Sequence, residues 1–594
     1  MSNQVTAPPS GSSHYSADGR LDSWKEIAAY LRREVRTVQR WEKSANLPVH
    51  RLQLEKQSAV YAYKSELDAW YKERRPNLES DAEDSDQEET STLFERLRRP
   101  WIVAGVAALI LIVSGGAYLV GKRWWFRAHS VPAKIKLAVL PFKNLSPDPE
   151  QEYFSDGMTE EMITELGRMQ PDRLGVIART STMLYKNTQK DLGQICRELG
   201  VQYVLEGSVF RAGNRARITA QLIQCTDQTH IWADSSERDL INIVPLQADV
   251  AQAIAKNIKL VLTPEQRTRL RAQRPVNPEA YEAYLKGMYF WGKFTPDSVG
   301  TAIKFLQAAI VHDASYAQAY AALTDCYVTS ALLGESPLDQ AYSNAKAAAK
   351  SATALDDTLA ETHHALATIA TWYGWDWATA EREYRRAIEL NPNYAKAHIG
   401  YANLLMALQR THEASTELRT AQELDPISEL TGIELVANRY LSKEYDDTIA
   451  EAKRWLEIYP EAMSLHSYLA GAYLEKGMDS LAVEEDLKAQ ALVGATQARV
   501  AALRDAYAAS GLTGYWRKKA ALDLIPSEKG YVRAYDVAYD YAAVGDRDHC
   551  LEWLNRALLQ RDGFLIQLAL LPRFDSVRAD PRFRDLLRRL NLPH

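Results

Sequence analysis

The chain has 594 residues, 71 Lys and Arg against 77 Asp and Glu, and a formal net charge of −6. That length is too great for one domain and predicts roughly three to five. The near balance of charge singles out no partner class for the whole chain, and the four cysteines include no CxxC pair and no zinc spacing.

Residues 1–19 are rich in Ser, Pro, Gly and Ala and are expected to be disordered. Residues 20–75 are locally basic, with 13 Lys and Arg against 8 Asp and Glu, whereas residues 79–89 hold seven acids and no base. A small basic domain followed by a solvated acidic linker, 76–99, is predicted. In LDSWKEIAAYL, Ser23 and Glu26 form a capping box, and Trp24, Ile27, Ala28 and Leu31 recur at helical spacing. A second helix is expected from about Val35 to Ser44, with Val38 and Trp41 inward. Arg36, Arg40 and Lys43 stand at i, i+4 and i+7 and share its outer face, with Thr37 and Gln39 beside them. Arg and Gln can pair bidentately with guanine and adenine, and Lys reaches phosphates. The plainer alternative is a solvated charged face.

The run WKEIAAYL, RTVQRWE, LPVHR and YAYKSELDAWY resembles the helix-turn-helix of the MerR/excisionase class. The resemblance implies that RTVQRW is a recognition helix and that the segment after the LP turn is a wing. It points to Arg36, Thr37, Gln39 and Arg40 as base or phosphate contacts and to Arg51 on the wing, and Lys43 joins them from the helical spacing. Two positions depart from the pattern: Arg32 stands where the tight turn usually has Gly, and Glu34 where the helix is usually capped by Ser or Thr. Glu caps less well and repels phosphate.

Residues 101–120, WIVAGVAALILIVSGGAYLV, carry no charge and would extend about 30 Å as a helix, so a transmembrane helix is predicted at 100–121. Three Lys and Arg precede it closely and five follow it, a bias that favours a cytoplasmic carboxyl side. The opposite orientation, with a cytoplasmic amino terminus and a periplasmic carboxyl region, is preferred because the basic domain needs access to DNA.

Residues 134–262 alternate strand and helix and predict an α/β sandwich. IKLAVLPF and RLGVIA read as strands. Met158, Met162, Ile163 and Leu166 form the inner face of a helix, DLGQICRELG stops at Gly200, and Ala212-Gly213-Asn214 turns a hairpin. The order of AVLPFKNLSPDPEQEYFSDGMTEEMITEL, VIARTS, ELGVQYVLEGSV, RITAQLI and HIWAD resembles the amino-terminal domain of TolB, which implies a non-catalytic recognition domain. Asp156, Glu160 and Glu161 cluster at a helix start, where the helix dipole favours acids, and no catalytic constellation accompanies them. Neither an enzyme, nor a cofactor, nor a metal is expected. Cys196 and Cys225 can pair if that side is oxidising, but four cysteines allow three connectivities, and buried free thiols are the plainer expectation.

Pro392, Pro426 and Pro460 are 34 residues apart, and Ala380/Ala414, Ala387/Ala421 and Leu390/Leu424 keep the same interval. That period is the tetratricopeptide repeat, two antiparallel helices per unit, and about eight units are expected over 275–594, the one near 497–526 being irregular. The charged end LPRFDSVRADPRFRDLLRRLNLP reads as a solubilising cap, and Trp372, Trp375 and Trp377 as packing at a helix turn more than as ligand anchors. Adjacent His363 and His364 point different ways on a helix and suit packing better than a metal.

The whole predicts a multidomain chain: an α helix-turn-helix head, one transmembrane helix, an α/β sandwich and an all-α tetratricopeptide solenoid. The expected function is a membrane-anchored one-component transcriptional regulator, an arrangement similar to CadC/ToxR-type regulators. Double-stranded DNA binds residues 20–75, a protein or peptide binds the array, 101–120 holds the inner membrane, and a homodimer matches two half-sites. The alternative is a bitopic envelope scaffold without DNA binding.

Overall fold

The computed structural model describes residues 19–54, 57–73, 134–240, 243–264, 266, 277–293, 295–332, 338–525 and 532–593. The chain divides into two units, Met1–Val131 and Pro132–His594.

In the first unit, the Ser23 hydroxyl accepts from the Glu26 N–H at 3.2 Å and starts α1 (Trp24–Tyr30). A turn at 31–34 leads to α2 (Val35–Ala45). Strand β1 (Arg20–Leu21) pairs with β3 (Gln57–Tyr63), which pairs with β2 (His50–Leu54), all antiparallel. Helix α3, residues 64–73, follows. Ile27, Ala28, Leu31, Val38, Trp41, Leu47, Ala62 and Leu67 form the core, as the helical spacing of the first two helices requires.

The second unit begins with a six-stranded sheet. Its strands are β4 (Ile135–Val139), β5 (Lys143–Asn144), β6 (Leu174–Val176), β7 (Tyr203–Ala212), β8 (Arg215–Gln224) and β9 (Thr229–Asp239). They lie in the order β6-β4-β7-β8-β9, with β5 also on β7. Helices α4 (Glu152–Met169), α5 (Arg179–Met183), α6 (Leu192–Leu199) and α7 (Ile243–Asn257) complete the module. Gly200 ends α6 in the left-handed conformation, φ 65°. Cys196 and Cys225 are disulfide-bonded, contrary to the free-thiol expectation, and Cys326 and Cys550 are buried thiols.

Helix pairs then follow one another: α8 (Pro278–Trp291) and α9 (Pro296–His312), α10 (Ala317–Leu332) and α11 (Leu338–Leu355), α12 (Ala360–Ile369) and α13 (Trp377–Leu390), α14 (Ala395–Ala407) and α15 (Thr411–Leu424), α16 (Glu429–Leu441) and α17 (Tyr445–Ile458), α18 (Met463–Glu475) and α19 (Asp479–Leu492). The irregular stretch, α20 (Gln497–Asp523), is two helical segments that meet at a kink, where Ser510 and Gly511 leave the helical conformation. Helices α21 (Ala534–Ala543), α22 (Arg547–Leu559) and α23 (Pro581–Arg589) end the chain. Tyr384 and Leu418 are fully buried between paired helices. The protein is multidomain, with an all-α repeat solenoid and a β sheet.

The sheet module and the helix pairs share one core. Met158, Met162 and Leu166 of α4 pack with Leu137 and Leu205 of the sheet and with Tyr281 and Leu285 of α8. A Cβ at Gly157 would lie 2.6 Å from Leu285, so α8 approaches α4 this closely only because position 157 has no side chain. Farther along, the loops before α14 and α16 grip the module. Asn393 donates to the carbonyls of Gly167 (2.9 Å) and Leu174 (2.8 Å). Asp425 accepts from the Ser181 hydroxyl (2.6 Å) and from Thr180. Arg168 of α4 forks onto Glu361 of α12 at 2.7 and 2.9 Å.

The carboxyl-terminal segment does more than cap the array. Leu565, Leu568, Phe574, Phe583 and Leu590 are buried with Trp375, Trp377, Tyr401 and Tyr440. The Trp377 indole donates to the carbonyls of Leu590 (3.0 Å) and Asn591 (2.8 Å), and Arg561 donates to the Tyr373 carbonyl (3.1 Å). The tail therefore closes back on the α12–α13 turn, and the tryptophan cluster is its packing partner.

The predicted single-pass placement in the inner membrane is corrected. Among the described residues no helix is long and apolar enough to cross a membrane. Even taken across its kink, α20 carries Arg499, Arg504, Asp505, Arg517, Lys518 and Lys519. The predicted span at 101–120, the linker at 76–99 and the first 18 residues lie outside the described residues.

Two outcomes follow from this packing. Phe574→Ala should cost the second unit ~3–5 kcal/mol, read by denaturant unfolding; a mere solubilising cap would leave its unfolding midpoint unchanged. Burial also pushes Glu161, Asp325 and Glu434 up to about 7. Acids raised on folding stabilise fully below the ordinary carboxylate range and lose that contribution as pH rises through about 7. Calorimetry from pH 5 to 8 should show falling stability, with a shallower decline in Glu161→Gln.

Candidate functional site

The exposed face of α2 is fixed from behind. Val38 and Trp41 are buried, and Trp41 lies 5.8 Å from Trp70 of α3, ring centre to ring centre. The Trp70 indole donates to the Ala45 carbonyl at 3.0 Å, which ties α3 to the last turn of α2. The Tyr30 hydroxyl donates to both oxygens of Asp68 at 2.9 and 3.0 Å, which ties α3 to α1 and raises the tyrosine's pKa. With its inner side held by these contacts, α2 has one choice of outward face.

That face carries Arg36, Arg40 and Lys43, all exposed, with Thr37 and Gln39 half-buried at its flanks. Among the described residues none of the three cations makes an ion pair. Arg51 is different: its Nη2 lies 2.6 Å from Oε1 of Glu42 on α2. The structure thus brings five of the six predicted residues onto one helix and holds the sixth beside it in an ion pair.

Sequence reasoning missed Lys25 and Arg33. They line, with Ala28, Ala29, Glu34, Val35 and Arg36, an open depression of about 580 Å³ at the start of α2. The Glu34 side chain, which also lines the depression, makes no capping hydrogen bond, so the cap gives the first N–H groups of α2 no side-chain acceptor. Free helix-start donors beside three cations suit an anionic oxygen. The signal that could have found them is proximity across the turn, since α1 and α2 cross there.

In the second unit the acidic cluster is absorbed by packing. Asp156 is buried and bonded to Lys186 at 2.6 Å; burial raises its pKa and Lys186 opposes the rise. Glu160 pairs with Arg179 at 3.1 Å, and Glu161 accepts from the Tyr284 hydroxyl at 3.2 Å. The two histidines diverge. The His363 ring lies between Glu383 (2.7 Å) and the Asp357 carbonyl (2.9 Å), while His364 packs against Tyr384 and Tyr394 with its pKa lowered by burial to about 3.

Residues 133–253 match the family model for the second domain of HilA/YgeH-like transcriptional regulators, and residues 376–429 match a tetratricopeptide repeat. Both matches lie in the second unit. The chain therefore carries a transcription-regulator-like domain joined to tetratricopeptide repeats. A Rhizobium meliloti (strain 1021) protein named putative adenylate cyclase 3 is 37% identical over 245 residues, 41% of this chain and 41% of that protein. Transcriptional regulator HilA of Salmonella typhimurium (strain LT2) is 25% identical over 320 residues, 54% of this chain and 56% of HilA. The chain thus spans about half the length, or less, of these curated relatives. Yeast Tom70 superposes with a TM-score of 0.33 at 13% identity, over 59% of this chain and 84% of Tom70, a likeness too weak to carry any argument.

Arg32 sits in the turn with φ 52°, a left-handed conformation that costs an L-residue about 1–2 kcal/mol. Arg32→Gly should stabilise the first unit by ~1 kcal/mol, measured as a raised unfolding midpoint. A lowered midpoint would show that the arginine side chain holds the turn.

Proposed function

We propose that this protein is a DNA-binding transcription regulator whose first unit reads double-stranded DNA and whose repeat array engages a protein partner. The observation that carries the reading is the face of α2: Arg36, Arg40 and Lys43 exposed and, among the described residues, without ion pairs, on a helix locked by Trp41 and Trp70. The regulator-like domain in the same chain supports it. In this reading α2 enters the major groove, where Arg36, Arg40, Thr37 and Gln39 meet base edges or phosphates. Lys43, Lys25, Arg33 and the open start of α2 meet phosphates, and the fold of the first unit is a helix-turn-helix with β2–β3 as its wing. The sheet module acts as a TolB-like recognition domain. A homodimer would place two heads on half-sites about one DNA turn apart.

A second reading, a protein-assembly scaffold without DNA binding, draws on the tetratricopeptide repeats, which imply a protein partner. The cyclase name belongs to a relative of which this chain covers 41%.

The readings separate in a binding experiment. Duplexes selected from a random pool by the full-length protein are titrated at two salt concentrations. Arg40→Ala should weaken binding to the selected duplex by ~1–3 kcal/mol and relax its preference over a scrambled one. Lys43→Ala should weaken both duplexes alike and lower the salt slope by about one. Wild-type binding that is equal for both duplexes would leave the scaffold reading.

A further inference from the structure

The β2–β3 hairpin is anchored at its root on two sides. His50 lies 2.7 Å from Glu66 of α3 and stacks on Tyr61 with ring centres 5.2 Å apart. Its neighbour Arg51 is bonded to Glu42 of α2 at 2.6 Å. Glu42 follows the buried Trp41, so its carboxylate projects from backbone that the core already holds still. The Glu42 side chain is 19% exposed and that of Arg51 54%.

Glu42 is the one acid in the α2 sequence VRTVQRWEKSA. An unpaired carboxylate on a helix that faces phosphates would weaken association. It lies off the Arg36–Arg40–Lys43 face, on the flank next to Gln39, and is neutralised by Arg51. The Nη2–H that Glu42 accepts is committed to that carboxylate, and the pair offers a phosphate no net charge.

We propose that Glu42 and Arg51 are positioning residues: their ion pair locks the hairpin to α2 and so fixes where the hairpin lies when α2 is in the groove. Arg51 then acts through Glu42, and not as the phosphate contact that its wing position suggests. The effect on DNA rests on the DNA-binding reading above; the lock itself rests on the geometry alone.

Full-length wild type, Glu42→Gln, Arg51→Gln and the exchange Glu42→Arg with Arg51→Glu are compared in two measurements. The first is amide hydrogen exchange across the hairpin, residues 50–54 and 57–63. The second is the affinity ratio for selected over scrambled duplex, with its salt dependence. Each single variant should speed exchange in the hairpin. Each should also lower the affinity ratio about two- to fivefold, the range of one partly exposed ion pair. Arg51→Gln should leave the salt slope unchanged, and the charge exchange should restore both protection and ratio. A salt slope lowered by about one in Arg51→Gln, with no rescue by the exchange, would make Arg51 a phosphate contact and overturn the proposal. Unaltered exchange in both single variants would overturn it as well. A wild type with no duplex preference would overturn the DNA-binding reading, and hydrogen exchange would then decide the lock by itself.

Discussion

The 34-residue period is the constraint on which the second unit is built. It places the residue after each second helix at one repeating position, so Asn391, Asp425 and Tyr459 fall on the same edge of successive helix pairs. The sheet module docks along that edge. Asn393, two residues past Asn391, donates to carbonyls at the end of α4 and in β6, Asp425 gathers the hydroxyls of α5, and Tyr459 bonds the Ile427 carbonyl within the array itself. A repeat that closes its helices in register thus presents polar loops at one edge, and two consecutive ones hold the module. The carboxyl-terminal tail threads back to Trp377 and buries its own apolar residues there.

The first unit is organised by a different device. It is too small for a large core, and it compensates with aromatic contacts that fix one helix from behind: Trp41 against Trp70, and Tyr30 bonded to Asp68. The cost of this arrangement is borne in the turn, where Arg32 is held left-handed, and at the cap, where Glu34 leaves the helix start open. An uncapped start is poor for the isolated helix but keeps N–H donors available beside Lys25, Arg33 and Arg36. In the reading proposed here, stability is given up where an anion is to be received.

What the sequence made legible was local. Helical spacing identified the inward faces of α1, α2 and α4, and the buried Ile27, Val38, Trp41, Met158, Met162 and Leu166 follow from it. The 34-residue interval located the paired helices, because each helix reports its own buried stripe. Partners far along the chain left no such trace. Trp377 meets a carbonyl 214 residues later, and Asp425 meets hydroxyls 244 and 245 residues before it. Periodicity says which face is covered and not what covers it, so the charged tail read as a cap when it is part of the core.

The central claim is that α2 is the surface that meets nucleic acid. Photo-crosslinking of full-length protein to a duplex bearing halogenated bases, followed by mass spectrometry of the adducts, tests it directly. The account expects adducts confined to the first unit and concentrated within Val35–Ala45. Adducts in the second unit, or none above those of an unrelated basic protein, would contradict it.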